Sequence, residues 1–370
     1  MTATDSDIHQ LMRSIIQRVA TGPELSKDIS REEAYGATVG ILEGKVDPVQ
    51  AAIFLIALRM KREAPDEYKG VLDGIRALVD GVTADVDHVV DIADPFDGYN
   101  RTLPASPFLP PLLAECGLKV VSHGLDAVGP KYGVTHRHVL QAAGVDVDLS
   151  TAEAAARLPD PALGWCYVDQ ASYCKPLHDL IPLRTKIIKR QVITTVEVLA
   201  KPITGRKGTH FVTGYVHKPY PPIYAMLARH VGFQSALFVR GVEGGVVPSL
   251  RQEGKYFSYH DLGEEIEVEI APSMVGVEQN LRAVPLPDDL PKAKREGDEI
   301  AIAVDIKDAA KAAAEAGMEA LRGKGGPTYD SLVYAGALIL KHMGRAAHLA
   351  EAAEQLRAVL DSGKAAARVK

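Results

Sequence analysis

Residues 89–145 contain two apolar strand patterns, each followed by a polar loop and then by a helix pattern. The first strand is predicted at residues 88–92 and leads into a loop at 94–106. The second is predicted at 118–121 and leads into a loop at 125–132. This alternation predicts a mostly parallel sheet covered by helices on both faces. In such sheets the loops at the carboxyl ends of neighbouring strands face one crevice, where ligands bind. We therefore expect the functional site at these two loops.

The first 82 residues predict a bundle of four helices. One helix is expected to begin at Ser30, because Ser30 and Glu33 have the spacing of a capping box. The next is expected to begin at Asp47, which is followed by a proline at the first helical position. This helix, at residues 49–61, is apolar on nearly all sides and must therefore be buried on several sides. In a small helical unit, such a helix predicts contact with another subunit.

The rest of the chain continues the pattern of strands and helices. Strands are predicted at residues 165–168, 209–216, 235–240 and within 255–270; helices at 223–230, 309–322 and 331–363; a turn at 219–222; and a long basic helix at 172–201. Together these elements predict the α/β fold class.

Length and composition exclude several classes of protein. The 370 residues allow about two domains, and three cysteines without a CxxC spacing argue for a reducing compartment and against a zinc site. The N-terminus lacks the basic and apolar regions of a signal peptide. The longest apolar runs are shorter than the roughly 18 residues that a membrane helix needs. We expect a soluble, cytoplasmic protein with no membrane partner.

The net charge of −6 conceals a basic segment. Between Lys175 and Arg240 there are eleven lysines and arginines but only two acids, Asp179 and Glu197. Such a local excess indicates a surface for an anionic partner. The alternative is a solvated basic helix that faces acidic neighbours, since charge runs at surfaces contribute little by themselves.

Several stretches, taken in their order and spacing, resemble one known family. They are ISREEAYGATVGILEGKVDPVQAAIFLIALRMK at 29–61, the strand at 89–91 with Asp97-Gly98 in its loop, His123-Gly124 with Gly133 and the helix at 139–145, and the segments 182–184, 199–202, 214–217 and 362–365. They resemble the anthranilate phosphoribosyltransferases and the pyrimidine nucleoside phosphorylases of glycosyltransferase family 3.

This resemblance implies a nucleoside phosphorylase or phosphoribosyltransferase-like fold. It has a small all-helical N-terminal domain, which forms a homodimer, and a large α/β domain with a mainly parallel central sheet. We assign the helical dimerisation domain to residues 1–83, completed by part of 170–197. The α/β ligand-binding domain is assigned to 84–169 and 198–370. A phosphorylated sugar or another small anion is the implied ligand.

The phosphate-binding motifs of the family are altered. The GTGGD loop is replaced by ADPFDGYNR at 93–101, where Asp94 adds negative charge and Pro95 removes an N–H donor. The family's KHGN is SHGL at 122–125, and its acidic pair that holds magnesium gives way to VEGGVVPS at 242–249, where Glu243 is the nearest acid. Magnesium on phosphates generally needs one or two carboxylates, so a magnesium cofactor is not predicted. A divergent branch of the family also lacks this loop and shares the sequence at 174–177. Its members are homodimers, and some are thought to bind nucleic acid through the basic helix.

The candidate site residues form two groups. The phosphate or ligand group is Asp97, Gly98, Arg101, Thr102, Ser106, His123, Gly124 and Lys131; the acceptor or polyanion group is Arg184, Lys186, Lys189, Arg190, Arg206 and Lys207. Structural alternatives stay open: Arg101 could pair with Asp97, His123 could be a buried histidine with satisfied hydrogen bonds, Gly124 could form a turn, and Arg184 could be solvated. No catalytic residue and no metal ligand is assigned.

Three functions are compatible with the sequence. The first is an anthranilate phosphoribosyltransferase-like glycosyl or phosphoribosyl transferase with an altered phosphate site and an unknown substrate. The alternative is a non-catalytic, homodimeric protein that binds nucleic acid or another polyanion through the basic helix 184–207. A regulatory or scaffold dimer without a ligand is the third possibility.

Overall fold

The computed structural model of the protein describes residues 5–22, 24–293 and 301–370. The N-terminal domain contains four helices: α1 (Asp5–Val19), α2 (Arg31–Leu42), α3 (Pro48–Lys61) and α4 (Pro65–Arg76). Both predicted helix starts are confirmed. The Glu33 amide donates to the Ser30 hydroxyl and the Ser30 amide to the Glu33 carboxylate, while Asp47 caps α3.

The α/β domain is built on a central sheet. The strands are β1 (Val82–Thr83), β2 (His88–Ala93), β3 (Val120–Gly124), β4 (Trp165–Asp169), β5 (Ile203–Thr204), β6 (Gly208–Tyr215), β7 (Ser235–Arg240), β8 (Gly254–Tyr259) and β9 (Ile266–Ile270). Seven of them form one sheet in the order β4-β3-β2-β6-β7-β8-β9, and β1 pairs with β5. The first five strands in that order run parallel to one another. β8 is antiparallel to β7, and β9 is antiparallel to β8. The predicted fold class is confirmed.

Eleven further helices of the described residues follow the first strands, and several of them cover the two faces of this sheet. They are α5 (Leu109–Glu115), α6 (His136–Ala142), α7 (Thr151–Ala156), α8 (Gln170–Tyr173), α9 (Lys175–His178), α10 (Ile181–Ile187), α11 (Ile193–Val196), α12 (Tyr220–His230), α13 (Ile306–Ala320), α14 (Pro327–His342) and α15 (Leu349–Ser362). Side chains alternate across β2, so that Val89 packs into one apolar core and Val90 into the other. The first core continues into the helical domain, and the second includes α5, α6 and α13–α15.

Three predictions of local structure were wrong. The long helix at 172–201 is a series of short helices, α8 to α11, because two prolines restart the chain and Ile188 has a positive φ of 67° after α10. The helix at 331–363 is two helices, α14 and α15, with Gly344 between them. The turn at 219–222 is the first turn of α12, where prolines need no N–H partner.

The short helices α10 and α11 pack against α3 and α4 of the helical domain. They therefore connect that domain with the carboxyl end of the sheet. Within the described residues, none of the helices is both long and apolar enough to cross a membrane.

Candidate functional site

A crevice between the helical domain and the carboxyl ends of β2 and β6 encloses a cavity of about 480 Å³. The side chains that line it with charge or an aromatic ring are Arg59, Asp94, Phe96, Asp97, Arg101, Lys131, Arg190, Tyr215, His217, Tyr220, Tyr224 and Glu243. The position agrees with the rule that ligands of open α/β sheets bind beyond the carboxyl ends of the strands. Four of the predicted site residues line this cavity: Asp97, Arg101, Lys131 and Arg190.

Asp94 stabilises the loop after β2 through four hydrogen bonds to its carboxylate. Its carboxylate accepts hydrogen bonds from the Tyr99 hydroxyl at 2.7 Å, His136 Nε2 at 2.9 Å, the Val246 amide at 3.0 Å and the Ser106 hydroxyl. Burial alone raises the pKa of Asp94, but the charge and hydrogen bond of His136, with the two hydroxyls, hold it below its usual value. Asp94 thus carries the negative charge that the sequence predicted, and donors from its own loop, from His136 and from the Val246 amide compensate it.

Two loops approach each other closely beside the cavity. Tyr99 and Val134 exchange backbone hydrogen bonds of 2.9 and 2.7 Å, and a Cβ on Gly98 would lie 2.5 Å from the carbonyl carbon of Gly133. Gly98 also has a φ of 75°, which favours glycine. These contacts account for Gly98 and Gly133 without a ligand. Gly124 is the last residue of β3 rather than a turn former.

Asp97 brings together residues from both predicted groups. Its carboxylate lies 3.2 Å from Lys131 Nζ and 2.6 Å from Arg190 Nη2. The alternative partner, Arg101, does not contact it. The Arg101 guanidinium is exposed, and within the part of the chain that the structure describes it has no hydrogen-bond or ion-pair partner. The crevice therefore presents one unpaired cation beside two cations that share one carboxylate.

Glu243 is bound to the loop that follows Asp97. One carboxylate oxygen accepts hydrogen bonds from the Arg101 backbone amide at 3.0 Å and the Thr102 hydroxyl at 2.8 Å. The other accepts one from the Asn100 backbone amide at 3.0 Å. These three donors converge on one anionic group. The backbone oxygen of Glu243 also accepts a hydrogen bond from Lys131 Nζ at 3.2 Å.

The residues at this site do not fit a bound magnesium ion. Glu243, the nearest acid to the position of the family's acidic pair, uses its carboxylate on Asn100, Arg101 and Thr102. The other two carboxylates of the cavity, Asp94 and Asp97, are likewise engaged, by His136 and by Lys131 and Arg190. We therefore assign no step of the chemistry to a metal.

Ser106 and His123 lie behind the cavity wall rather than in it. Ser106 is buried, and its hydroxyl donates a hydrogen bond to Asp94. His123 is fully buried and bonds Asp91 through Nε2 at 2.8 Å, between the rings of Phe96 and Tyr173. Its burial matches the alternative of a buried histidine, but its hydrogen bonds are not all satisfied, because Nδ1 has no hydrogen-bond partner among the described residues.

The basic residues that were predicted to form one surface lie in separate places. Arg184 is buried, and its two terminal nitrogens donate to Glu197 at 2.8 and 2.7 Å, so it is neither solvated nor directed toward an acceptor. Lys186 and Lys189 are exposed near the end of α10, whereas Arg190 contacts Asp97 inside the crevice. Arg206 and Lys207 precede β6, at the amino end of that strand and away from the crevice, where they pair with Asp85 and Asp87. The predicted basic helix 184–207 is therefore wrong as a single surface.

The sequence did not point to one wall of the cavity. Arg59 of α3 donates to the Tyr220 hydroxyl at 3.0 Å and to the Thr195 hydroxyl at 2.8 Å. His217 and Tyr220 follow β6, so the rule on carboxyl-terminal loops could have found them. Arg59 gives no such signal, since it comes from a different domain.

Comparison with known proteins places both domains. The helical bundle domain of a glycosyl transferase family matches residues 13–79, and the α/β domain of a glycosyl transferase family matches residues 97–285. The chain is 32% identical over 222 residues to an uncharacterized protein of Aquifex aeolicus, which covers 60% of this chain and 65% of that protein. It is thus aligned with just under two thirds of that relative.

Other relatives match over nearly their full length. An anthranilate phosphoribosyltransferase of Rhodopseudomonas palustris is 27% identical over 364 residues, which is 96% of each chain. Among solved structures, anthranilate phosphoribosyltransferase from Thermus thermophilus has a TM-score of 0.70 at 20% identity, with 97% of each chain covered. The Saccharomyces cerevisiae enzyme in complex with PRPP and Mg has a TM-score of 0.74 at 18% identity, covering 97% of this chain and 96% of that one.

Proposed function

The chain belongs to the glycosyl transferase family that is defined by these helical bundle and α/β domains, and we propose on this basis that it is a glycosyl or phosphoribosyl transferase with an altered phosphate site. The observation that supports this function is the interdomain crevice. Arg101, Lys131 and Arg190 lie on the side of the phosphate loop, and aromatic and hydroxyl side chains such as Tyr220 and Thr195 lie on the side of the helical domain. The two sides suit a phosphorylated sugar and its acceptor.

The proposed transfer breaks the bond between the anomeric carbon of the sugar and a phosphate oxygen, and forms a bond from that carbon to the acceptor. Positive charge develops on the sugar and negative charge on the departing phosphate. Arg101, Lys131 and Arg190 stabilise the phosphate charge, and Lys131 and Arg190, which Asp97 holds in place, need little reorganisation to do so. Arg59 holds Tyr220 and Thr195 in place for the acceptor, so that the two reactants meet in one orientation.

The homodimer through the helical domain, completed by part of 170–197, belongs to the same proposal. Val49 and Met60 of α3 are 66% and 73% exposed in the single chain, and both lie on one apolar helix. An exposed apolar face of this kind suits a second copy.

Isothermal titration with a panel of phosphorylated pentoses tests the proposed ligand class. The panel contains phosphoribosyl diphosphate with and without Mg²⁺, ribose 1-phosphate and ribose 5-phosphate. We expect at least one of them to bind, and Arg190→Gln to weaken that binding by about tenfold, which corresponds to about 1.4 kcal/mol. Lys189→Gln is the matched control, because Lys189 is the exposed neighbour outside the cavity. If no member of the panel gives heat at millimolar concentration, the proposal is refuted.

The nucleic-acid alternative stays a prediction that no observation favours. Its basic residues lie at opposite ends of the strands, and Arg184 is buried and paired with Glu197.

A further inference from the structure

We propose that Glu243 is an internal competitor for a phosphate group. Its carboxylate occupies an anion-binding group of three donors, the amides of Asn100 and Arg101 and the hydroxyl of Thr102. A ligand phosphate binds the same donors when the carboxylate leaves them. This inference rests on the proposed function only in naming a phosphorylated ligand for the crevice.

The structure shows directly that these three donors hold an anion. They contact the two carboxylate oxygens of Glu243 at 3.0, 3.0 and 2.8 Å. Charge-assisted hydrogen bonds of this length are stronger than neutral ones. Consecutive backbone amides that point to one place are a common way of binding phosphate in proteins. The group therefore has the chemistry of a phosphate site and contains a carboxylate of the same chain.

The occupied group belongs to the ligand cavity. Asn100, Arg101 and Glu243 line the cavity wall, and Glu243 is only partly buried. Arg101 and Lys131 line the same cavity, and Lys131 contacts the backbone oxygen of Glu243. Exchange of the carboxylate for a phosphate thus keeps the three hydrogen bonds and adds contacts with cations.

The backbone at Glu243 also favours its release. Glu243 has a φ of 53° and a ψ of 14°, the left-handed region that costs energy for a residue with a side chain. Gly241, Gly244 and Gly245 surround it, and Gly244 has a φ of 91°. The three hydrogen bonds to the loop offset the cost of this conformation, so that a ligand which takes over these bonds also lets the segment relax.

Pyrophosphate and inorganic phosphate are suitable probes, since neither contains a sugar. We expect Glu243→Gly to bind pyrophosphate at least tenfold more tightly than the unchanged protein in isothermal titration at one ionic strength. Glycine tolerates the positive φ, so that the fold of the segment is kept. Glu253→Gly is the control for a general loss of negative charge, because Glu253 is an exposed acid outside the cavity. We expect it to leave the affinity within twofold.

A second substitution locates the site. Thr102→Val, introduced together with Glu243→Gly, removes one of the three donors. We expect it to abolish most of the gain in pyrophosphate affinity. If Glu243→Gly destabilises the segment, Glu243→Gln provides a variant of equal size without the charge, for which we expect a smaller gain.

Equal affinity of the unchanged protein, Glu243→Gly and Glu243→Gln would overturn the inference, and so would a gain that Thr102→Val leaves untouched. Neither result bears on the proposed function, because the sugar-phosphate panel tests that function on the unchanged protein. A failure of the panel together with a gain in pyrophosphate binding would refute the transferase and leave the competitor in place.

Discussion

Acidification should destabilise this protein through two buried histidines that share one serine. His210 Nδ1 lies 2.8 Å from the Ser235 hydroxyl, and His342 Nε2 lies 2.9 Å from the same hydroxyl. His260 stacks on His342 with ring centroids 4.3 Å apart, and His88 contacts His210 at 3.1 Å. Burial, together with the neighbouring histidines, lowers the pKa of His210 to about 4 and that of His342 to about 3.

The sign of the effect follows from proton linkage. The ordinary histidine pKa is 6.5, so the unfolded chain binds protons at these two side chains below that pH while the folded chain does not. The folded state is thus fully favoured above about pH 6.5 and loses stability as the pH falls toward 4 and 3. Between about pH 8 and about pH 5 each histidine should remove about 2 kcal/mol from the free energy of unfolding, or about 4 kcal/mol together.

Urea denaturation at these two pH values, at one protein concentration, measures the loss. Carboxylates with lowered pKa values contribute in the same direction at lower pH, and His342→Gln separates them from the histidines. The glutamine side chain cannot titrate but can still bond Ser235, so this variant should lose about 2 kcal/mol less than the unchanged protein. His9→Gln, at an exposed histidine of α1, should change nothing. A loss below about 1 kcal/mol in the unchanged protein, or an equal loss in His342→Gln, would refute the reasoning.

Two further predictions concern the helical domain and its connection to the crevice. Arg184→Met should destabilise the fold by about 3–5 kcal/mol in urea denaturation, because it leaves the Glu197 carboxylate buried without its partner. Addition of Glu197→Gln should recover much of this loss, and an unchanged loss would contradict the pairing. Val49→Glu with Met60→Glu should convert a dimer to monomer in sedimentation velocity, since both substitutions place charge on the exposed apolar face of α3, whereas Gln10→Glu on α1 should not. A dimer that survives both charges would exclude this face.

The parts of this protein that the sequence predicted depend on residues close together in the chain. Ser30 and Glu33 are three residues apart, and their capping box fixes the start of α2 whatever packs on it. Strands such as β2 carry their own apolar pattern. The loops after parallel strands share one edge of the sheet, so the position of the crevice also follows from local patterns.

The charge pairs that the sequence did not predict join residues that are far apart in the chain. Arg184 has a basic neighbourhood in the sequence, and nothing local shows that Glu197 neutralises it in the core. The sequence likewise does not show that the charge of Asp94 is compensated, because His136 lies 42 positions away. The sequence shows which charged side chains are present. The fold determines which of them pair with each other and which remain available to a ligand.

The altered phosphate loop is rebuilt around internal bonds rather than emptied. Asp94 is satisfied by its own loop and His136, while Glu243 takes the donors at residues 100–102. The charged side chains that line the crevice are four cations, Arg59, Arg101, Lys131 and Arg190, and three carboxylates, Asp94, Asp97 and Glu243. One excess positive charge suits a monophosphate ester, with a charge of about −1.5 to −2, better than a diphosphate without metal. Under the proposed function, the internal carboxylate and the engaged acids of the crevice act in the same direction, because both favour a ligand that carries less negative charge than a sugar diphosphate.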